Sequence, residues 1–266
     1  MAKRWSFEED YLVCKFSFAH IYMIYSEEEF GDLILNLKER GFTDRSKGSL
    51  ERRIREYQNI FTGYEAAYAS EQVRSIASAY ISRTEDSERF EKIQACINEA
   101  FASNYDNLSD NISFGLQNQQ LNHFVEIDPA APSFKDLLRF YIRKSGMTDA
   151  QVYRASFVSR DKFNHIINGR KGKKIKESDN SNKCGVSPRT VMQLCIGLKL
   201  SYADAAYLMA CAGYAFQPNE DIDRVVVACL KYGIRNIVEV NIELDERGLE
   251  LFKEPIWRSA SKQKSK

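Results

Sequence analysis

A chain of 266 residues, 44% hydrophobic and 12% aromatic, has apolar mass for two packed cores rather than one. Its 38 Lys/Arg nearly cancel 37 Asp/Glu, so the net charge of +1 excludes a uniformly basic or acidic coat and leaves local charge as the informative quantity. No apolar run reaches the ~20 residues of a membrane span. The six scattered cysteines form no C-x-x-C pair and no signal segment precedes them, which points to reduced thiols in a cytoplasmic protein rather than a disulfide framework.

From the N-terminus, Ser6 and Glu9 form a capping box that starts a helix carrying Leu12, Val13, Phe16, Phe18, Ala19, Ile21, Tyr22 and Ile24. That helix is apolar over much of its surface and is expected to be largely buried. A second box, Ser26 and Glu29, starts a helix with Phe30, Leu33, Ile34 and Leu37 on one face, ended by Gly41. A turn then leads to a third helix, near Lys47 to Phe61, with Leu50, Ile54 and Tyr57 inward. Arg45, Lys47, Arg52, Arg53 and Arg55 are expected mostly outward, as a second candidate DNA site. The alternative is a helical bundle whose arginines pair with Glu51, Glu56 and other nearby acids.

Trp5-Ser-Phe-Glu-Glu-Asp10 resembles the opening of Myb/SANT-like domains, and Arg45-Ser-Lys-Gly-Ser-Leu-Glu-Arg-Arg-Ile54 resembles their turn and third helix. The likeness covers about residues 4–62 and lacks the regular tryptophans of eukaryotic Myb repeats. It implies a tri-helical module that binds DNA or a protein partner. Two further helices are expected before residue 103, one around Val73, Ile76 and Ala77, the next around Phe90, Ile93, Ile97 and Phe101. Residues 104–133, rich in Asn, Gln, Ser and Pro, read as a polar linker. The expected organisation is therefore all-α: an N-terminal helical domain over 1–103, the linker, a second helical domain over 134–256, and a basic tail over 257–266.

The second half is organised around Met147 to Gly169, two short helices joined by a tight turn. Thr148 is the cap of the first and Ser159 of the second. Phe163, Ile166 and Ile167 give the second helix an apolar back. Arg160, Lys162, Asn164 and His165 form its front, where Arg and Lys suit guanine and Asn suits adenine. Arg170, Lys171, Lys173, Lys174 and Lys176 come directly after it and are expected, with Thr148 and Ser159, to meet the DNA backbone. From Lys135 to Lys176 there are 12 Lys/Arg against 3 Asp/Glu, a local polyanion signature.

Leu137 to about Gly213 resembles the lambda-repressor/Cro-like (XRE-type) helix-turn-helix domain. Phe134 to Lys144 is similar to its first helix. Met147-Thr148 stands where the family has Leu-Ser. Val158-Ser159-Arg160 and Ile166-Ile167-Asn168-Gly169 are similar to the start and end of its recognition helix, and Val186 to Leu198 to its fourth. Asp149 departs from a frequent phosphate-binding Gln, Tyr153 from a small Ala, and residues 171–185 are an insertion. The resemblance implies major-groove DNA binding by a bacterial transcriptional regulator, cytoplasmic and nucleoid-associated, with double-stranded DNA as partner and a homodimer as a further option.

Downstream, Ser187-Pro188 starts one helix and Ser201 the next. A third is expected from Asn219 to Gly233. Ile234 to Leu244 is ambiguous between strand and helix; the spacing of Ile237, Val240 and Leu244 favours helix. His20, His123 and His165 lie far apart without metal-ligand spacing. No phosphate-loop or nucleophile-elbow motif is present, so neither cofactor nor catalysis is expected. The competing function is a helix-turn-helix-derived adaptor that binds a protein in a defence or toxin–antitoxin assembly, or structured RNA.

Overall fold

The computed structural model describes residues 4–21, 25–42, 45–63, 69–102, 132–168 and 185–255, without the side chains at 90 and 99–102. Every regular element among the described residues is a helix, so the all-α expectation holds. The chain gathers into two compact units, residues 1–90 and 91–266. The expected linker, the run after Gly169 and the basic tail lie outside the described residues, apart from 132 and 133.

Unit 1 contains α1 (Phe7–Ala19), α2 (Glu27–Glu39), α3 (Lys47–Phe61) and α4 (Glu71–Glu85). A serine caps each: Ser6, Ser26, Ser46 and Ser70 accept from the third amide of the adjoining helix. Each cap contributes about 1 kcal/mol. Both expected capping boxes are formed. α1 packs on α2, α3 and α4. The core is built by Tyr11, Val13 and Cys14 of α1, Phe30, Leu33 and Leu37 of α2, Leu50, Ile54 and Tyr57 of α3, and Val73, Ile76 and Ala77 of α4.

α1 differs from its expected apolar burial. It stops at Ala19, and Phe16 and Phe18 stay half-buried. In their place its packed side includes Glu9, Asp10 and Ser17. Ser17 is satisfied locally, its hydroxyl donating to the Val13 carbonyl at 2.6 Å. The two acids need partners from elsewhere, and the turn before α3 and α3 itself supply them.

Unit 2 takes residues 91–102 of α5 (Ser87–Ala102), then α6 (Phe134–Ser145), α7 (Asp149–Ala155), α8 (Arg160–Asn168), α9 (Pro188–Gly197), α10 (Tyr202–Cys211), α11 (Asp221–Lys231) and α12 (Ile237–Asp245). α9 is its axis, because every residue from Thr190 to Gly197 is buried. It packs on α7, α10 and α12. Gly197 is required there: a Cβ would fall 2.0 Å from the Ser156 hydroxyl oxygen, so only glycine lets α9 approach the turn after α7.

The ambiguous segment is α12, capped by Asn236. It is buried on nearly all sides, which is why it carries β-branched residues without being a strand. Buried Asn241 exchanges two hydrogen bonds with the backbone of Phe252, at 3.0 and 2.9 Å. Residues 249–255 are thereby strapped across the unit. Arg189 of α9 holds the strap from the other side, donating to the Glu250 and Leu251 carbonyls at 2.8 and 2.7 Å and covering the Phe252 ring.

Candidate nucleic-acid interface

The pair α7–α8 is built from local rules. Thr148 and Gln151 form a capping box, with the Gln151 amide donating to the Thr148 hydroxyl at 3.3 Å and the Thr148 amide to the Gln151 side chain at 2.8 Å. The turn after α7 places Phe157 at φ +50°. This left-handed conformation costs a side-chain-bearing residue roughly 1–2 kcal/mol. Surrounding bonds hold it: Val158 N–H to the Tyr153 carbonyl at 2.9 Å, and the Gln193 amide to the Phe157 carbonyl at 3.3 Å. Ser159 then caps α8, accepting from the Lys162 amide at 3.3 Å.

α8 buries Phe163 and Ile167 and leaves Ile166 half-buried. Tyr153 is accommodated because its ring packs against Phe163, with centroids 5.9 Å apart. Arg139 of α6 donates to the Ile167 carbonyl at 3.1 Å and so satisfies the end of α8. On the opposite side Arg160, Asp161, Lys162, Asn164, His165 and Asn168 are exposed. Among the described residues no ion pair involves an α8 side chain, although one, Arg189–Glu250 at 3.4 Å, lines the cleft beside Ser159 and Lys162. Lys162 has a tether, its Nζ donating to the Thr190 hydroxyl at 2.6 Å.

Ser159, expected at the DNA backbone, and Lys162, expected at a base edge, share a shallow cleft with Phe157, Arg189, Gln193 and Lys253. Thr148 is exposed at the start of α7. Arg189 and Lys253 are cations of this cleft outside the expected set, but Arg189 is already paired with Glu250, which lines the same cleft. Arg189 has a usable signal in the sequence, its place in the first turn after Ser187-Pro188; Lys253 has none, because only the fold of the strap brings it there. Arg143 and Lys144, exposed in the last turn of α6, are further cations outside the expected set. Arg170, Lys171, Lys173, Lys174 and Lys176 lie outside the described residues.

On unit 1 the expected outward placement holds for Lys47, Arg52 and Arg55 and is corrected for Arg45 and Arg53. Arg45 is not outward: its guanidinium grips Glu9 with two 2.8 Å hydrogen bonds, donates to the Arg4 carbonyl at 2.7 Å and stacks over Trp5. Both side chains of that pair are buried, at 7% and 2% exposure. Arg53 lies 3.1 Å from Asp10, donates to Glu56 at 2.9 Å and covers the same Trp5 ring. Lys47 meets both Glu27 oxygens at 3.0 Å in solvent. Only Arg52 and Arg55 of the five remain as exposed side chains without a described acid partner.

The cause is electrostatic. A carboxylate removed from water is strongly disfavoured unless a cation and hydrogen bonds replace the solvent. Glu9 obtains both from Arg45. Asp10 has Gln72 donating at 2.8 Å and Arg53 nearby, but Arg53 is too poorly aligned to hydrogen-bond Oδ1. Burial therefore wins over the Arg53 charge and pushes the Asp10 carboxyl up to about 7.

No protein-family model, curated protein or solved structure matches the chain.

Proposed function

We propose that the protein binds double-stranded DNA sequence-specifically through α8, as a helix-turn-helix transcriptional regulator of the bacterial type. The observation that carries this reading is the exposed row Arg160, Asn164 and His165 on a helix whose back is buried. Nine residues make a rod of about 13 Å, which suits a major groove about 12 Å wide. Arg160 and Asn164, one helical turn apart, sit ~6 Å from each other along the axis, roughly two base-pair steps. Arg160 is the donor for a guanine edge and Asn164 the partner for adenine. Thr148 and Ser159, at the starts of α7 and α8, meet phosphates, joined by Arg170, Lys171, Lys173, Lys174 and Lys176. The protein acts in the cytoplasm, on the nucleoid.

A second reading has its own observation. Asp149 and Asp161 are exposed in the first turns of α7 and α8, where each would repel a phosphate. They favour an adaptor that presents the same face to a protein. Selection of bound duplexes from a random pool, with competition by RNA, decides among these. A recovered consensus supports the regulator, and a palindromic one indicates two copies with half-sites a whole number of helical turns apart. No enrichment, with no retention of random duplex at low salt, overturns it in favour of the adaptor.

A further inference from the structure

We infer that the cleft beside the start of α8 seats a phosphate between Lys162 and Lys253, and that Lys162 therefore meets the backbone of the duplex and not a base edge. The inference rests on the DNA-binding reading of α8 and deepens it: one flank of the helix reads bases and the other grips the strand.

The division starts from helical period. At about 100° per residue, Lys162 stands about 160° round the axis from both Arg160 and Asn164. All three are exposed, yet they cannot face one row of base edges together. Lys162 is turned instead toward α9. Its Nζ donates to the Thr190 hydroxyl at 2.6 Å, and that hydroxyl is held in turn by the Ser187 hydroxyl at 2.8 Å. Thr190 is buried, so a lysine that left for a base edge would take a partner from a hydroxyl that water does not reach.

The tether uses one of the three ammonium protons, and the others have no acceptor among the described residues. Lys253 lines the same cleft, exposed and without an acid partner among the described residues. Its place is set by the residue before it, Phe252, which Asn241 holds at both N–H and carbonyl. Arg189 lines the cleft too, but it is committed to the strap carbonyls and to Glu250. Glu250 is the one acid among the lining residues, and Arg189 offsets it, so the two lysines remain as uncompensated charge. Ammonium groups act as point charges, which suits phosphate without the planar fork of an arginine. A phosphate has two sources, the duplex and a free small molecule, and volume decides between them. The cleft is shallow, at about 280 Å³, below the roughly 300–1,000 Å³ of pockets that enclose a small ligand. A backbone phosphate needs no enclosure. It adds affinity and fixes register without adding sequence preference.

The test uses the full chain with Lys162→Gln and Lys253→Gln, singly and together, on a selected duplex and on its single-base-pair variants, at several salt concentrations. Both lysines are exposed, so helix content and unfolding midpoint serve as a folding check. The inference expects each substitution to weaken every duplex by the same factor. It expects the double variant to flatten the slope of log affinity against log salt by about 0.9, the value of one shared phosphate. Relaxed preference at one base pair in Lys162→Gln overturns the inference and leaves the reading of α8 intact, as does a wild-type slope in the double variant. A wild-type chain that binds no duplex overturns both. In that case, side-chain NMR signals of the two lysines that shift with inorganic phosphate, and not with chloride at matched ionic strength, assign the cleft to a small phosphate compound.

Discussion

α3 and α8 invite the same description from sequence: each is the basic last helix of a three-helix arrangement, offered to a polyanion. In space they differ. Arg53 of α3 and Arg45 just before it turn back onto α1, where Glu9 and Asp10 are buried, and both cover Trp5. The α8 cations face solvent, because among the described residues the helices packed behind α8 bury no carboxylate against it. The count of cations on a helix therefore says little about its partner. What decides is whether a neighbouring helix has acids that folding has stripped of water.

That difference can be broken by substitution. The largest effect is expected from Arg45→Ala, which strands buried Glu9 and should cost unit 1 about 3–5 kcal/mol in urea unfolding. DNA affinity should not change except through loss of folded protein; a mild stability loss would show that the pair is dispensable. Gly197→Ala comes next, because the new methyl must displace Ser156 at the turn before α8. We expect it to cost unit 2 about 1–3 kcal/mol and to weaken DNA binding with it. Arg160→Ala should show the reverse pattern: unchanged unfolding, with binding weakened ~1–3 kcal/mol at one base pair and specificity relaxed there. Equal losses on every sequence would move Arg160 from base edge to backbone.

Protonation sharpens the comparison further. The folded unit 1 holds the Asp10 proton up to about pH 7, whereas an ordinary aspartate releases it near 3.8. Between those values folding takes up a proton, so this group makes unit 1 less stable as pH rises through the window. Asp10→Asn should flatten that dependence, and an unchanged pH profile would place the titration elsewhere. The smallest effect is expected from single alanine substitutions at Lys171, Lys173 or Lys174. Each should flatten the salt slope by about 0.9 on any duplex, a change readable only against several salt concentrations.

Legibility falls with sequence distance. The capping boxes at Ser6 and Ser26, the bounds of α3, the caps of α7, α8 and α10, and the helical state of α12 are set within a few residues, and those expectations hold. For Glu9, the local pattern offers only a place at a helix start, which is true and incomplete. Its contact with Arg45 spans 36 positions, and no local pattern encodes it. The strap is the same case, since Asn241 and Phe252 are paired by a fold that hides both from water. Tyr153 departs from the small residue of the family it resembles, yet the ring contact with Phe163 absorbs its bulk. For α8, the direction of each side chain is legible from period; the tether of Lys162 to Thr190 is not, because the two lie 28 positions apart.

Three hydrogen bonds hold α8: Ser159 at its start, Lys162 on its flank through Thr190, and Arg139 at its end. On the proposed reading of α8, a rod clamped in this way would arrive at a groove already shaped and lose little freedom on docking. It also has no room to swivel toward an ill-fitting site. Discrimination between near-cognate sites then falls to the duplex, and flexible steps beside the contacted bases would be tolerated where stiff ones are refused.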